Sequence, residues 1–149
     1  MKKPLLFSLA CCFIIFSKAQ TAEDSVKTVV NQLFTAMKSS NAPLLQQCFA
    51  DSAILQTIKE KDGKTIIEQD AVKAFADIVA GMPKDAADEQ IVFDVIKIDG
   101  ALAIVWAPYK FYYKGKFSHC GVDSFQLVRI NGEWKIQYLI DTRRKEGCE

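Results

Sequence analysis

Three dipeptides, Asp99-Gly100, Lys114-Gly115 and Asn131-Gly132, constrain the second half of this chain more than any other feature. Asp-Gly and Asn-Gly favour the positive backbone angles of two-residue β-hairpin loops, and long runs of β-branched and aromatic residues flank each of them. The runs are 91–98, 101–113, 116–130 and 133–142, which predicts four strands in an antiparallel meander. At its centre, residues 106–123 (WAPYKFYYKGKFSHCGVD) gather six aromatics, the one histidine of the chain, a cysteine and a carboxylate.

The first half reads as helix, helix, hairpin, helix. From Thr21 onward, Val26, Val29, Val30, Leu33, Phe34 and Met37 recur at helical spacing, and Thr21 with Asp24 forms a capping pair. Asn41 and Pro43 start a second, short helix with Leu44, Leu45, Cys48 and Phe49 inward. Strands over 53–58 and 64–67 flank the turn Lys61-Asp62-Gly63. Asp70 is expected to cap a third helix that turns Val72, Phe75, Ile78 and Val79 inward, and residues 84–90 are expected to form a polar loop.

Residues 1–19 have the pattern of a cleaved secretory signal: a positive start, an apolar run over 4–16, and Ser17-Lys18-Ala19 at the cleavage position. A lipid anchor at Cys11 or Cys12 is the competing reading. Residues 20–149 then form one domain, periplasmic or secreted. The net charge of +1 owes its sign to Lys2, Lys3 and Lys18, so the domain lacks the basic surface a nucleic-acid partner requires. No second apolar run is long enough to span a membrane.

If each turn is a two-residue loop, Ile98 faces Ala101, Tyr113 faces Lys116 and Ile130 faces Glu133. Counting outward places Phe93, Val95, Leu102, Ile104, Trp106, Phe125, Leu127, Ile136, Tyr138 and Ile140 on the core face, with Asp123 among them. The opposite face carries Ala103, Val105, Ala107, Val122, Ser124 and Gln126, a flat surface suited to a homodimer. Pro108 cannot donate to a ladder, so a bulge is expected there. Gly121 would then leave a gap beside Trp106, Tyr138, His119 and Asp123.

Three helices, a hairpin and a bent meander resemble the nuclear-transport-factor-2-like (cystatin-like) α+β fold, a cone-shaped antiparallel sheet wrapped around N-terminal helices. The stretches FYYKGKFSHCGVDSFQLVRINGEWKI and DTRRKEGC resemble a secreted bacterial group labelled "putative lumazine-binding". That resemblance implies a small organic ligand, of heteroaromatic pterin or flavin type. Superfamily relatives include ketosteroid isomerases, dehydratases and polyketide cyclases that use a carboxylate or an Asp–His pair inside the cone.

Asp123 is the first candidate, because a carboxylate on a core face must be paired, protonated or functional. It reads as a general base or a ligand hook, or as a structural partner of Arg144 or His119. His119 and Tyr138 are the candidate acids. His119 lies four residues before Asp123, about 13 Å along an extended strand, too far for a direct hydrogen bond. Trp106, Tyr112, Phe117 and Tyr138 are candidate ring-stacking residues, with Arg144 a further ligand contact. One histidine and scattered carboxylates make no metal cluster, and nothing calls for a cofactor. Of the three cysteines beyond the leader, Cys120 and Cys148 are expected to pair, leaving Cys48 as a small core residue. The functional expectation is a binding domain, with an isomerase-, dehydratase- or cyclase-type enzyme and a scaffold with a filled cone as alternatives.

Overall fold

The structure, a computed structural model, describes residues 21–148; the expected signal segment lies outside them. The elements run α1 (Ala22–Lys38), α2 (Ala42–Gln47), β1 (Phe49–Lys61), β2 (Lys64–Asp70), α3 (Val72–Ala80), β3 (Ala87–Ile91), β4 (Val95–Asp99), β5 (Leu102–Tyr113), β6 (Lys116–Ile130) and β7 (Glu133–Thr142). The strands form one sheet in the order β2-β1-β7-β6-β5-β3, with β4 also on β5. All neighbours are antiparallel except β1 and β7, which run parallel.

Local chemistry explains the helix starts. Thr21 and Asp24 form a reciprocal capping box, and the Asn41 side chain accepts from the Leu44 N–H. Asp70 does not cap α3: Ala71 holds that position without a side-chain bond, and Asp70 ends β2 instead. The turns at Asp62-Gly63, Lys114-Gly115 and Asn131-Gly132 have both central residues at positive φ, as type I′ hairpins require. At the β4–β5 turn the loop is Gly100-Ala101, so Asp99 faces Leu102 and Ile98 faces Ala103 rather than Ala101.

Two slips in register decide which side of each strand meets the helices. Tyr113 faces Lys116 and Tyr112 faces Phe117, but Phe111 then faces His119, leaving Ser118 as an extra residue. A one-residue slip exchanges the two faces of a strand. Ala103, Val105, Ala107 and Tyr109 therefore line the inner face with Phe125 and Leu127 and are buried. Leu102, Ile104 and Trp106, expected inside, lie on the outer face with 47%, 42% and 46% of their surface exposed. A second slip, between Gln126 and Leu127, keeps Ile136 inside. Beyond it, Leu139 and Asp141 face Phe125 and Asp123 in the positions the simple count assigns to Tyr138 and Ile140.

The bulge expected at Pro108 is absent from β5, which pairs with β6 straight through Pro108 and Val122. The interruption falls on the neighbouring edge. Val92 N–H donates to the Pro108 carbonyl, but Pro108 has no N–H to return, and residues 92–94 separate β3 from β4. Residues 84–90, expected as a loop, contain most of β3, which pairs with the far end of β5.

α1 lies across the concave face. It buries Val26, Val30, Leu33 and Met37, and Phe34 meets the fully buried Phe125 edge to face at 6.3 Å. Cys48 is a buried core thiol that donates to the Leu44 carbonyl, and burial pushes its pKa up to about 11. Cys120 and Cys148 form a disulfide that ties the tail back across β6.

Candidate functional site

Between α1, α3 and the inner face of the sheet lies a cavity of about 260 Å³. Leu33, Phe34, Met37, Phe75 and Val79 supply helical walls, and Phe111 and Leu139 close it from the sheet. Ile78, Met82 and Ala87 add apolar wall, and a polar floor comes from Glu89 on β3, Tyr109 on β5, His119 and Asp123 on β6, Asp141 on β7, and Arg143 just beyond it. Asp70, at the end of β2, stands at an exposed margin.

Asp123 is 4% exposed, and its Oδ2 accepts no hydrogen bond from a donor among the described residues. Glu89 and Asp123 interact carboxyl to carboxyl, and a proton shared between them would supply the missing hydrogen bond. Burial first, and then the Glu89 charge, hold the Asp123 pKa well above the usual carboxylate range. Burial likewise lifts Glu89 to about 7, while its hydrogen bond with Asp123 opposes the rise. Asp123 thus keeps its proton through neutrality, while Glu89 gives up its own near pH 7 and leaves one proton between the two. The Glu89 carboxyl is deeply enclosed even though part of the residue remains accessible.

Asp141 is held by its neighbours on both carboxyl oxygens. Thr57 Oγ1 donates to its Oδ1 at 2.6 Å, and Arg143 Nε donates to its Oδ2 at 2.8 Å. The parallel pairing of β1 with β7 sets Thr57 directly beside Asp141. Tyr109 donates to the Thr142 carbonyl at 2.9 Å, with Asp141 Oδ2 at 3.3 Å. Burial and the surrounding carboxylates push the Tyr109 pKa upward, so its phenol stays neutral.

Gly121 makes this packing possible. A Cβ there would lie 1.8 Å from the Thr142 carbonyl oxygen and 2.7 Å from the Tyr109 ring. Gly121 faces Tyr109 rather than Pro108, and the tyrosine ring fills the space that the count from the turns leaves open. His119 packs against Phe111 at 5.1 Å and edge to face with Tyr109 at 5.7 Å, and Ser118 Oγ lies 3.0 Å from its Nδ1. Burial and the Arg143 charge lower its pKa, which favours the neutral imidazole.

Of the residues singled out from sequence, the structure brings Asp123 and His119 to this cavity. Tyr138 lies on the other face of the sheet, donating to Gln56 Oε1 at 2.6 Å, so it forms no acid–base pair with Asp123. Trp106 is on that outer face too. Tyr112 and Phe117 stack edge to face at 5.9 Å near the β5–β6 turn and do not line the cavity. Arg144 bridges to Cys120 through its backbone, and Arg143 is the arginine at the cavity. Glu89, Tyr109, Asp141 and Arg143 were not anticipated. For Glu89 a signal exists: Ala87, Glu89 and Ile91 alternate with polar residues as a strand does.

An open curled sheet around three helices, with a polar-floored cavity inside, defines an NTF2-like domain. The chain belongs to the family described as "Putative lumazine-binding", which matches residues 21–138. Solved structures agree on the fold. An NTF2-like protein of unknown function from Shewanella baltica OS155 is 14% identical, with TM-score 0.65 over 83% of this chain and 94% of its own. One from Methylobacillus flagellatus KT is 18% identical, with TM-score 0.64 over 85% and 96%. A cystatin-like-fold protein from Nostoc punctiforme is 13% identical, with TM-score 0.65 over 85% and 95%. No functionally curated protein matches the chain.

Proposed function

We propose that this protein is an exported small-molecule-binding domain whose cavity takes a flat heteroaromatic ligand. One observation carries the reading: a buried carboxyl pair, Asp123 with Glu89, lines a preformed cavity, and Asp123 Oδ2 has no donor besides the proton the two share. Phe34, Phe75 and Phe111 supply ring faces, and about 260 Å³ suits a one- or two-ring molecule, below the roughly 300–1,000 Å³ of sites for larger ligands. The family description points to a ligand of the same kind. Export is supported by the Cys120–Cys148 disulfide; among the described residues no helix is long and apolar enough to cross a membrane. Native mass spectrometry of protein exported by a bacterial host is the test. An extra small mass lost on denaturation supports the reading, whereas a clean apo mass together with no binding of flat heteroaromatics removes it.

The outer sheet face supports pairing with a second copy. Leu102, Ile104 and Trp106 form an exposed apolar row on β5, next to the β3–β4 edge of the sheet, and the helices pack on the opposite face. Such a patch suits an isologous homodimer. Residues Ala103, Val105 and Ala107, assigned to that surface from sequence, belong to the core.

A second reading, an enzyme of isomerase, dehydratase or cyclase type, draws on the carboxyl pair. Glu89, titrating near neutrality, is suited to accept a proton and Asp123 to donate one, the reverse of the base role expected for Asp123. Under this reading Asp123→Asn abolishes turnover while a ligand of similar shape still binds.

A further inference from the structure

The floor of the cavity is strongly biased toward acceptors. Four carboxyls line it, from Asp70, Glu89, Asp123 and Asp141, against one guanidinium, Arg143. That guanidinium is committed to Asp141 at 2.8 Å and to Thr57 Oγ1 at 3.2 Å. The Tyr109 hydroxyl proton is likewise spent on the Thr142 carbonyl. Among the described residues neither Glu89 nor Asp123 is ion-paired: their partner is the proton they share, and Asp123 Oδ2 lacks any other donor. A buried acceptor in this state accommodates a ligand that brings its own N–H groups.

From this geometry we infer that the ligand is a flat ring cation carrying two parallel N–H donors, of amidinium or 2-aminopyrimidinium type, seated on Glu89 and Asp123 between Phe34, Phe75 and Phe111. The inference rests on the cavity being a ligand site. Its N–H groups replace the shared proton, so each binding event forms N–H···O bonds to the two carboxylates and releases that proton to solvent. The groups facing the pair are Tyr109 on β5, His119 on β6, and Asp141 with Arg143 at the end of β7. Burial keeps Tyr109 neutral and favours the neutral form of His119, and Asp141 pairs with Arg143. The proton that moves therefore belongs to Glu89 and Asp123. A neutral ring offers the floor fewer donors, and an anionic ring is repelled.

Benzamidinium is a direct probe, with benzamide, benzoate and lumazine as neutral and anionic comparisons. Calorimetric titration of the full exported protein, in two buffers of different ionisation enthalpy at pH 6 and pH 8, reads affinity and proton release together. Benzamidinium is expected to bind about tenfold or more tighter than benzamide, with benzoate rejected, as charge-assisted bonds to a buried carboxylate imply. Its affinity should rise between pH 6 and pH 8, by about tenfold per unit above neutrality and more steeply below, with about one proton released at pH 8 and more than one at pH 6. Asp123→Asn, and Glu89→Gln as a second variant that keeps the native volume, should each erase the preference for the cation. Benzamide or lumazine binding as tightly as benzamidinium, or a preference unchanged in both variants, overturns the cation inference and leaves the binding domain intact. Absence of binding by all four compounds overturns both.

Discussion

Replacing Glu89 by glutamine tests the electrostatics of the cavity floor without changing its shape. The folded protein holds Glu89 at about 7 against a usual value of 4.5. Between those two pH values the folded chain keeps a proton that the unfolded chain has released. Stability must therefore fall as pH rises through this window, and the penalty is complete above pH 7. At about 1.36 kcal/mol per pKa unit the cost is on the order of 3 kcal/mol at pH 8 and about 1 kcal/mol or less at pH 5. Glutamine removes the charge, and its amide N–H can donate to Asp123 Oδ2 in place of the shared proton. Glu89→Gln should therefore stabilise the protein at pH 8 by about 2 kcal/mol more than at pH 5. In urea, with a slope of roughly 1–3 kcal/mol per molar for a domain of this size, the midpoint at pH 8 should move up by about 1 M. Fluorescence of Trp134, which is 5% exposed, follows the transition. An equal change at both pH values, or a loss of stability at pH 8, would refute a proton-sharing carboxyl pair.

Other perturbations address the frame around the site. Gly121→Ala drives a methyl group into the Thr142 carbonyl and the Tyr109 ring, which lie at 1.8 and 2.7 Å from it. A urea midpoint lowered by an amount corresponding to about 3 kcal/mol or more is expected, and an unchanged midpoint would show that β6 can move away from β7. Cys148→Ser opens a disulfide of sequence separation 28 and should cost about 3.5 kcal/mol on the loop-entropy account, read by the same titration with the wild type kept oxidised. Trp106→Glu puts a charge into the exposed apolar row of the outer face. Light scattering at tens of micromolar should give a monomer for this variant and a dimer for the wild type; a monomeric wild type ends the dimer proposal.

Much of the fold was legible in the residues because its signals are local. Thr21 with Asp24, Asn41, and the positive-φ turns at Lys114-Gly115 and Asn131-Gly132 each act within four residues, and the structure keeps them all. The helical stripe from Val26 to Met37 and the Cys120–Cys148 bridge also follow from pattern and proximity. Asp123 stood out for the same reason, as a carboxylate in a strand otherwise built for a core. The wrong assignments were of long-range origin. A bulge leaves no fixed residue type, yet the extra residues Ser118 and Gln137 decide which side of β5 and β7 faces the helices. They move Trp106 and Tyr138 outward and bring Tyr109 and Asp141 inward. Glu89 joins Asp123 only because β3 pairs with the far end of β5, and Thr57 reaches Asp141 only through the parallel β1–β7 joint. Sequence by itself determined the helices, two of the three meander turns and one buried carboxylate. Tertiary structure alone supplied its partner, because strand register sums small pairing energies over the whole sheet, and burial turns two distant carboxyls into one proton-sharing site.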